Sequence, residues 1–401
     1  MSRVSPDPSA PPPARPGRPT PCVTAHITTI DMTAWCFLRS WFAALVEDGH
    51  EVHLLTTRGP FTQRLKDLGV TVHDVPIARR IDPVRDLISL WRLYRALRRI
   101  RPAIVHTHTS KAGFLGRLAA RLASVPHVLH TMHEPPHNAA GGPLTRILYI
   151  WIERLAAHLA DRIVTVSYAN EKEIERQRLV DRKHLTVIRE GLDLARYPRA
   201  TDPRAAVRAL GIADDVLVVG TVGRLEQAKG HEWLLKSAPA VLAQVPNVHF
   251  IIIGGGPFAA PLSAMATELG ISDHVTLTGY REDMLALLQG FDLFVLPSLW
   301  EGLGIVLLEA MAYEKAIVAS RVGGVTDVVV EEQTGILIPP RDPRALSKSI
   351  VRMLRDPSRR EEMGRAGYER LTRVFRDDLA NERMMTLYQR ILESPPSTPQ
   401  P

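Results

Sequence analysis

The chain has 401 residues, 45% hydrophobic and 23% charged, with a formal net charge of +7. That length allows two domains of ordinary size, and no uninterrupted apolar stretch is long enough for a transmembrane helix. Cys22 and Cys36 give neither a disulfide framework nor metal-ligand spacing, which points to a reducing, cytoplasmic setting.

The first 21 residues, MSRVSPDPSAPPPARPGRPTP, are proline-rich without an apolar segment and read as a disordered or extended tail, not a signal peptide. Charge is distributed unevenly beyond it. Residues 22–200 carry 26 Lys and Arg against 17 Asp and Glu, whereas residues 201–401 carry 21 against 25. The basic excess of the first half gathers in RRIDPVRDLISLWRLYRALRRIRP, with eight arginines from Arg79 to Arg101.

In chain order, CVTAHITTI, EVHLLTT, VTVHDVP, AIVHTH, HVLHTMH and RIVTVS are short apolar strands, with helical patterns at 36–48, 86–100, 113–123 and 144–160 between them. The rhythm restarts after residue 215 with VLVVGTVGR, NVHFIIIGGG, HVTLTG, LFVLPS, AIVAS and GILIPP. Strands alternating with helices imply parallel sheets covered on both faces. The expected architecture is α/β, two doubly wound Rossmann-like domains facing an interdomain cleft. Residues 22–195 form the first domain and 196–376 the second. The polar stretch 193–215 reads as their linker, and the helix at 377–392 follows the second domain.

The chemistry centres on two loops of the second half. SLWEGLGIVLLEAMA places Glu301 before a glycine hinge and Glu309 inside an apolar run, where a carboxylate is costly without a partner. Gly302 and Gly304 permit close backbone approach, and the N–H groups of the following helix start favour a hydroxyl-rich or anionic ligand. Both glutamates are suited to accept hydrogen bonds from sugar hydroxyls. In GTVGRLEQAKG, Gly223 allows a tight turn, and Arg224 and Lys229 can neutralise a diphosphate without a metal. IIIGGGP serves either nucleotide approach or a strand-ending turn. No G-x-x-x-x-G-K-[ST] occurs, and no G-x-G-x-x-G follows a strand, which argues against a P-loop nucleotidase and a dinucleotide dehydrogenase.

The first half clusters His106, His108, His130, His133 and His137 at strand ends. Their spacing fits no metal motif, so hydroxyl binding by neutral imidazole is preferred, beside a structural role for some. In the arginine-rich segment Leu87, Trp91, Tyr94 and Leu97 form an apolar stripe expected to face the core. The opposite, basic face is either simply solvated or in contact with an anionic membrane. Nothing in the segment matches a nucleic-acid-binding motif.

Taken together, GRLEQAKG, IIIGGGP and LPSLWEGLGIVLLEAMA resemble glycosyltransferase family 4, and HTHTSKAGFLGRLAARLASVPHVLHTMHE resembles the acceptor half of bacterial members that build surface polysaccharides. The resemblance covers about residues 22–392. It implies the GT-B fold and a retaining, metal-independent transfer from a nucleoside-diphosphate sugar, with UDP expected, to a saccharide or lipid-linked acceptor. Peripheral contact with the inner face of the cell membrane fits the same picture. On matching positions, Glu309 would hold the ribose, Arg224 and Lys229 the diphosphate, and Glu301 the sugar. Backbone N–H groups from Gly302 through Leu303 and Gly304 to Ile305 would assist, and His133 would reach the sugar from the first domain. The last helix would return to that domain. One departure stands out: the loop after the first strand reads TTIDMTAWCF, without the family's glycines. Asp31 or Thr33, with His108 and Lys111, is therefore expected on the acceptor side. An epimerase or phosphorylase on the same fold, and a non-catalytic nucleotide-sugar-binding subunit, remain alternative readings.

Overall fold

The computed structural model describes residues 20–78, 82–134 and 142–396. Nearly all of the proline-rich segment, Arg79, Arg80 and His137 lie outside the described residues. The chain divides into two compact units. Unit 1 comprises the chain up to Val166, Glu171–Ile188 and the residues from Ala380; unit 2 comprises Ser167–Asn170 and Arg189–Leu379.

Unit 1 is built on seven parallel strands: β1 (Val23–Ile30), β2 (Glu51–Thr57), β3 (Thr71–Asp74), β4 (Ile104–His108), β5 (His127–Met132), β6 (Arg162–Thr165) and β7 (Leu185–Val187). They lie in the order β3-β2-β1-β4-β5-β6-β7. The crossovers carry α1 (Asp31–Phe37), α2 (Arg39–Glu47), α3 (Thr62–Asp67), α4 (Pro83–Ile100), α5 (Ser110–Leu122), α6 (Pro143–Ala157) and α7 (Tyr168–Arg176). The helix expected over 36–48 is two, because β1 runs into α1 at Asp31 without an intervening loop. Apolar side chains of α4 and α5 cover one face of the sheet, with Leu93, Leu97, Leu115 and Ala119 in a core with Ile27 and Val105.

The arginine-rich helix departs from its expected orientation. α4 buries Leu93 and Leu97, whereas Leu87 and Trp91 stand exposed. Of the expected stripe, Leu97 and the half-buried Tyr94 do meet the core, while Leu93 and Ser89, which donates to Pro76 O at 2.6 Å, take the places of Trp91 and Leu87 on that face.

Unit 2 has six parallel strands in the order β10-β9-β8-β11-β12-β13: β8 (Leu217–Val222), β9 (Val248–Ile253), β10 (Val275–Gly279), β11 (Leu293–Leu296), β12 (Ile317–Ser320) and β13 (Gly335–Ile338). Strands such as β11 and β12 are buried along their whole length, as parallel strands covered on both faces must be. Its helices are α8 (Ala205–Arg208), α9 (His231–Leu242), α10 (Ala259–Glu268), α11 (Met284–Gln289), α12 (Ile305–Ala312), α13 (Val325–Val328), α14 (Pro343–Arg355) and α15 (Pro357–Val374).

The division falls at Ile188/Arg189, earlier than the expected 195/196, because the supposed linker packs onto unit 2. Arg204 donates to Val216 O at 2.7 Å and Gly290 O at 3.0 Å, and Tyr197 is buried. The last helix, α16 (Asp377–Leu392), crosses the division at Ala380. Its Met385, Leu387, Tyr388 and Ile391 enter the unit 1 core beside Trp41 and Phe42.

Candidate functional site

In unit 2 the crossover direction reverses between the adjacent strands β8 and β11. Open α/β sheets leave a ligand crevice at such a switch point, beyond the strands' carboxyl ends. The loops leaving these two strands carry the residues singled out from sequence. After β8 come Gly223, Arg224 and a 3-10 turn ending at Lys229; after β11 come Ser298, Glu301 and the glycine hinge. Backbone contacts tie the loops together. Leu299 N donates to Ala228 O at 2.8 Å, and Gly230, at φ +63°, runs so close that a Cβ would lie 2.1 Å from Pro297 O.

Lys229 Nζ thereby lies 2.7 Å from Glu301 Oε1, which also accepts from Ser298 Oγ at 2.7 Å. The Glu301 side chain is 4% exposed, so it is a buried carboxylate compensated by one ammonium and one hydroxyl, both on the same oxygen. The sequence reading of the two loops did not include this burial of Glu301 or its ion pair with Lys229. An ammonium has three N–H donors, so Lys229 can keep Glu301 and meet a phosphate oxygen as well. No described side chain donates to Oε2.

Arg224 differs in kind. It is 61% exposed and paired with Glu226 at 2.7 Å, an exposed contact of small worth that a dianion can displace. Its loop sits on the glycine turn after β9: Leu225 N donates to Gly255 O at 3.0 Å, and a Cβ on Gly254 would lie 1.9 Å from Gly223 O. IIIGGGP is thus a strand-ending turn shaped to receive the Arg224 loop. His231, the next residue after Gly230, is buried, and desolvation pulls its pKa down to about 4.

α12 begins after Gly304, at φ +85°, and has no side-chain cap. In its first turn, which Ile305 leads, Leu307 N donates back to Gly304 O at 2.8 Å, and no side chain competes for the remaining backbone donors. Leu303 is buried beneath the hinge. The hinge is backed by a loop that sequence reading passed over: a Cβ on Gly323 would lie 2.2 Å from Glu301 O, and one on Gly324 2.0 Å from Gly302 O. Glu309 is half-buried and accepts from Tyr197 Oη at 3.0 Å, which answers how an apolar run tolerates it. Gly-Gly directly after a strand was the available signal for Gly323 and Gly324. Tyr197 and Ser298 had none.

In unit 1, β1 and β4 flank the corresponding switch point. His133 follows β5, half-buried, with its ring 5.2 Å from Phe37 and 5.8 Å from His108. The three residues expected on the acceptor side have partners within unit 1. Asp31 is buried and accepts from Phe61 N at 2.9 Å and Thr62 Oγ1 at 3.0 Å, so it holds the loop before α3. Lys111 Nζ lies 2.5 Å from Asp86 Oδ1 and ties α5 to α4. His108 is buried on the sheet, its ring stacked against His106.

That stack belongs to a core of imidazoles. His26 and His106 are register partners on β1 and β4; His106 meets Tyr388 Oη at 2.9 Å and Thr131 Oγ1 at 2.7 Å. His130, on the opposite face, meets Thr107 Oγ1 at 2.9 Å. Burial pushes the pKa of His26 down to about 3, and burial and neighbouring imidazoles hold His106 and His108 well below the usual range. One ring nitrogen each of His26, His106 and His108 lies within 4.8 Å of the others. That spread exceeds the roughly 3.3 Å between ligands of a tetrahedral zinc, and hydroxyls already engage both His106 nitrogens. These histidines are packing groups of the sheet.

Comparison with known proteins now has a site to refer to. The model of "Glycosyl transferases group 1" matches residues 204–370, and that of "Glycosyl transferase 4-like domain" matches 34–191. The UDP-Gal:alpha-D-GlcNAc-diphosphoundecaprenol alpha-1,3-galactosyltransferase of Escherichia coli is 31% identical over 321 residues, covering 79% of this chain and 83% of that protein. The chain belongs to the family 4 type of glycosyltransferase. The alpha-maltose-1-phosphate synthase of Mycolicibacterium smegmatis, another relative, is 33% identical over 313 residues, covering 72% of this glycosyltransferase and 79% of its own length. Among solved structures, sucrose-phosphate synthase from Thermosynechococcus elongatus has a TM-score of 0.79 at 23% identity, covering 92% of this chain and 98% of that one. Anabaena HepE in complex with UDP-glucose has a TM-score of 0.78 at 21% identity, covering 92% and 100%. Both likenesses establish the GT-B fold of this glycosyltransferase.

Proposed function

We propose that the protein is a retaining glycosyltransferase that moves a hexose-type sugar from a nucleoside diphosphate, with UDP as the nucleotide, to a hydroxyl of a saccharide or lipid-linked saccharide. The product would belong to a cell-surface polysaccharide or glycolipid. The observation that carries this reading is the cluster Lys229–Glu301–Ser298, with Arg224 beside it, on the two loops at the unit 2 switch point. Lys229 and Arg224 take the diphosphate and stabilise the charge that grows on it as the glycosidic bond breaks, without a metal. Glu301, held by two donors on Oε1, accepts a sugar hydroxyl at Oε2 and acts as a fixed acceptor instead of a nucleophile. The uncapped start of α12 supplies backbone donors, and Glu309, oriented by Tyr197, accepts from the ribose. His133 is assigned to the sugar through the family resemblance, and attack on the same face as departure retains the anomer.

The UDP assignment and the lipid-linked acceptor are supported by the names of the E. coli relative and the HepE complex. The exposed arginines of α4, Arg92, Arg95 and Arg98, provide a surface for peripheral contact with an anionic membrane. Calorimetric titration of UDP, GDP and ADP, with and without a chelator, tests the nucleotide assignment. UDP is expected to bind regardless of chelator, with affinity lowered about tenfold or more in Glu309→Ala, as for loss of hydrogen bonds to a charged group. Undiminished UDP affinity in that variant would remove Glu309 from the site.

A further inference from the structure

α6 has the reverse of the usual amphipathic arrangement. Its Glu153 points inward and meets Arg117 of α5 at 2.8 Å, both side chains buried. Arg117 also donates from Nε to Gly113 O at 2.9 Å. This pair fixes the rotation of α6, and the fixed rotation turns the helix's apolar side outward. Leu144, Ile147, Leu148, Trp151 and Leu155 follow one another at three- and four-residue steps and are all exposed, Leu144 at 82% and Trp151 at 63%. The stripe is about 16 Å long at 1.5 Å per residue. It is part of a wider pattern: ten of the fifteen large apolar side chains that stand exposed among the described residues lie on α4, α5 and α6. Patches of this kind mark interaction surfaces.

What the stripe meets is indicated by where it leads. At the C-terminal end of α6 a cavity of about 670 Å³ opens, lined by Arg121, Arg154, Arg162, Arg178 and Lys183 against Asp161 and Asp181. Asp161 is already engaged, by Arg121 at 2.7 Å and by Val128 N at 2.7 Å. Arg154 donates from Nη2 to Gln177 O at 2.6 Å while its Nε is buried without a partner, Lys183 lies 3.9 Å from Asp181, and among the described residues Arg178 has no carboxylate partner. Arg154 joins the two features, because its guanidinium lies 5.3 Å over the Trp151 ring while its flank lines the cavity. The cavity sits at the amino-terminal ends of β6 and β7, the edge opposite to the carboxyl end of β5 where His133 stands. It is therefore separate from His133.

An outward Trp and Leu stripe bordered by arginines is suited to the interface of an anionic bilayer. A cation-lined cavity at the end of that stripe is suited to a phosphate. We propose that α6 lies in the surface of an anionic membrane and that the basic cavity at its end binds the phosphate headgroup of one acidic phospholipid. This rests on the reading of the protein as a peripheral membrane enzyme and names the site through which it docks.

The test is co-sedimentation of the full chain with phosphatidylcholine vesicles, with and without phosphatidylglycerol, read without donor or acceptor. Tryptophan fluorescence, with the Trp151 contribution read by difference against Trp151→Phe, and light scattering are recorded in parallel. Binding is expected only to the anionic vesicles, with a blue shift. Leu148→Ser/Trp151→Ser and Arg178→Glu/Lys183→Glu should each lower the partition coefficient about tenfold, with unchanged thermal stability and donor hydrolysis. Soluble glycerol phosphate should compete weakly and only at the cavity. Four results would overturn the proposal: equal binding to neutral vesicles; binding untouched by both double variants yet lost in Arg92→Gln/Arg95→Gln, which would place the membrane contact on α4 alone; glycerol phosphate binding without vesicle binding; or a dimer that Leu148→Ser/Trp151→Ser dissociates, making the stripe a contact between copies of this chain. Loss of sugar transfer with intact vesicle binding would instead count against the catalytic reading and leave this one standing.

Discussion

Lys229 and Glu301 lie 72 residues apart in sequence and 2.7 Å apart in space. Each residue type was legible as chemistry from its loop, but their pairing was not, because it depends on how Gly230 lets one loop pass against Pro297. Asp31 shows the converse. Its place after β1 suggested a ligand contact, yet its carboxylate is committed to Phe61 N and Thr62 Oγ1 in a loop thirty residues away. Exposure separates the two cations of unit 2. Lys229 is held in place, whereas Arg224 is exposed and paired only with Glu226. A group whose contact tightens as the diphosphate leaves contributes to turnover more than to binding. Arg224→Ala is therefore expected to lower kcat by about a hundredfold, the scale of one lost charge-stabilising donor, while the donor Kd changes by less than about fivefold. A variant that loses donor affinity and turnover in equal measure would place Arg224 in ground-state binding only.

At the scale of elements, strands were the clearest signal, since parallel strands buried on both faces read as unbroken apolar runs such as LFVL. Helix orientation was not legible. α4 and α6 are each rich in both apolar and basic residues, so the inward face is chosen by particular contacts and not by periodicity alone. For α6 the choice is made by Glu153 and Arg117, neither of which stands out in sequence. Breaking such a pair by removing one partner leaves a charge buried without compensation, which costs about 3–5 kcal/mol. Glu153→Ala should lower unfolding free energy by that amount in a denaturant titration. A loss below about 1 kcal/mol would show that water reaches Arg117 and that the pair does not set the orientation of the helix.

For the whole molecule, the sequence rhythm disclosed two parallel sheets and the family resemblance implied the returning last helix, while the boundary between units was displaced because residues 193–215 bond onto unit 2 instead of spanning open solvent. The histidines of unit 1 give the molecule an acid limit. His26, His106, His108 and His130 are buried and held neutral, each pulled down first by desolvation. In the unfolded chain they titrate near the ordinary 6.5. The unfolded state thus takes up protons that the folded state refuses, so their contribution is fully present above about pH 6.5 and is lost as pH falls toward the depressed folded values. Each site withdraws up to about 1.4 kcal/mol per pH unit in that window. The Tm should be flat above pH 7 and fall steeply from pH 6.5 to 5; a flat profile through that range would mean these imidazoles are protonated within the fold.

The most direct measurement is a proton NMR time course of UDP-sugars with the purified protein, following the anomeric signals of donor and of the first sugar released to water. Slow donor loss, insensitive to chelator, abolished in Arg224→Ala and yielding the donor's own anomer first, is the result expected of a metal-independent retaining transferase. Release of the opposite anomer first would contradict retention, and a donor left intact across UDP-, GDP- and ADP-sugars would contradict the assignment of the switch-point cluster to nucleotide-sugar cleavage.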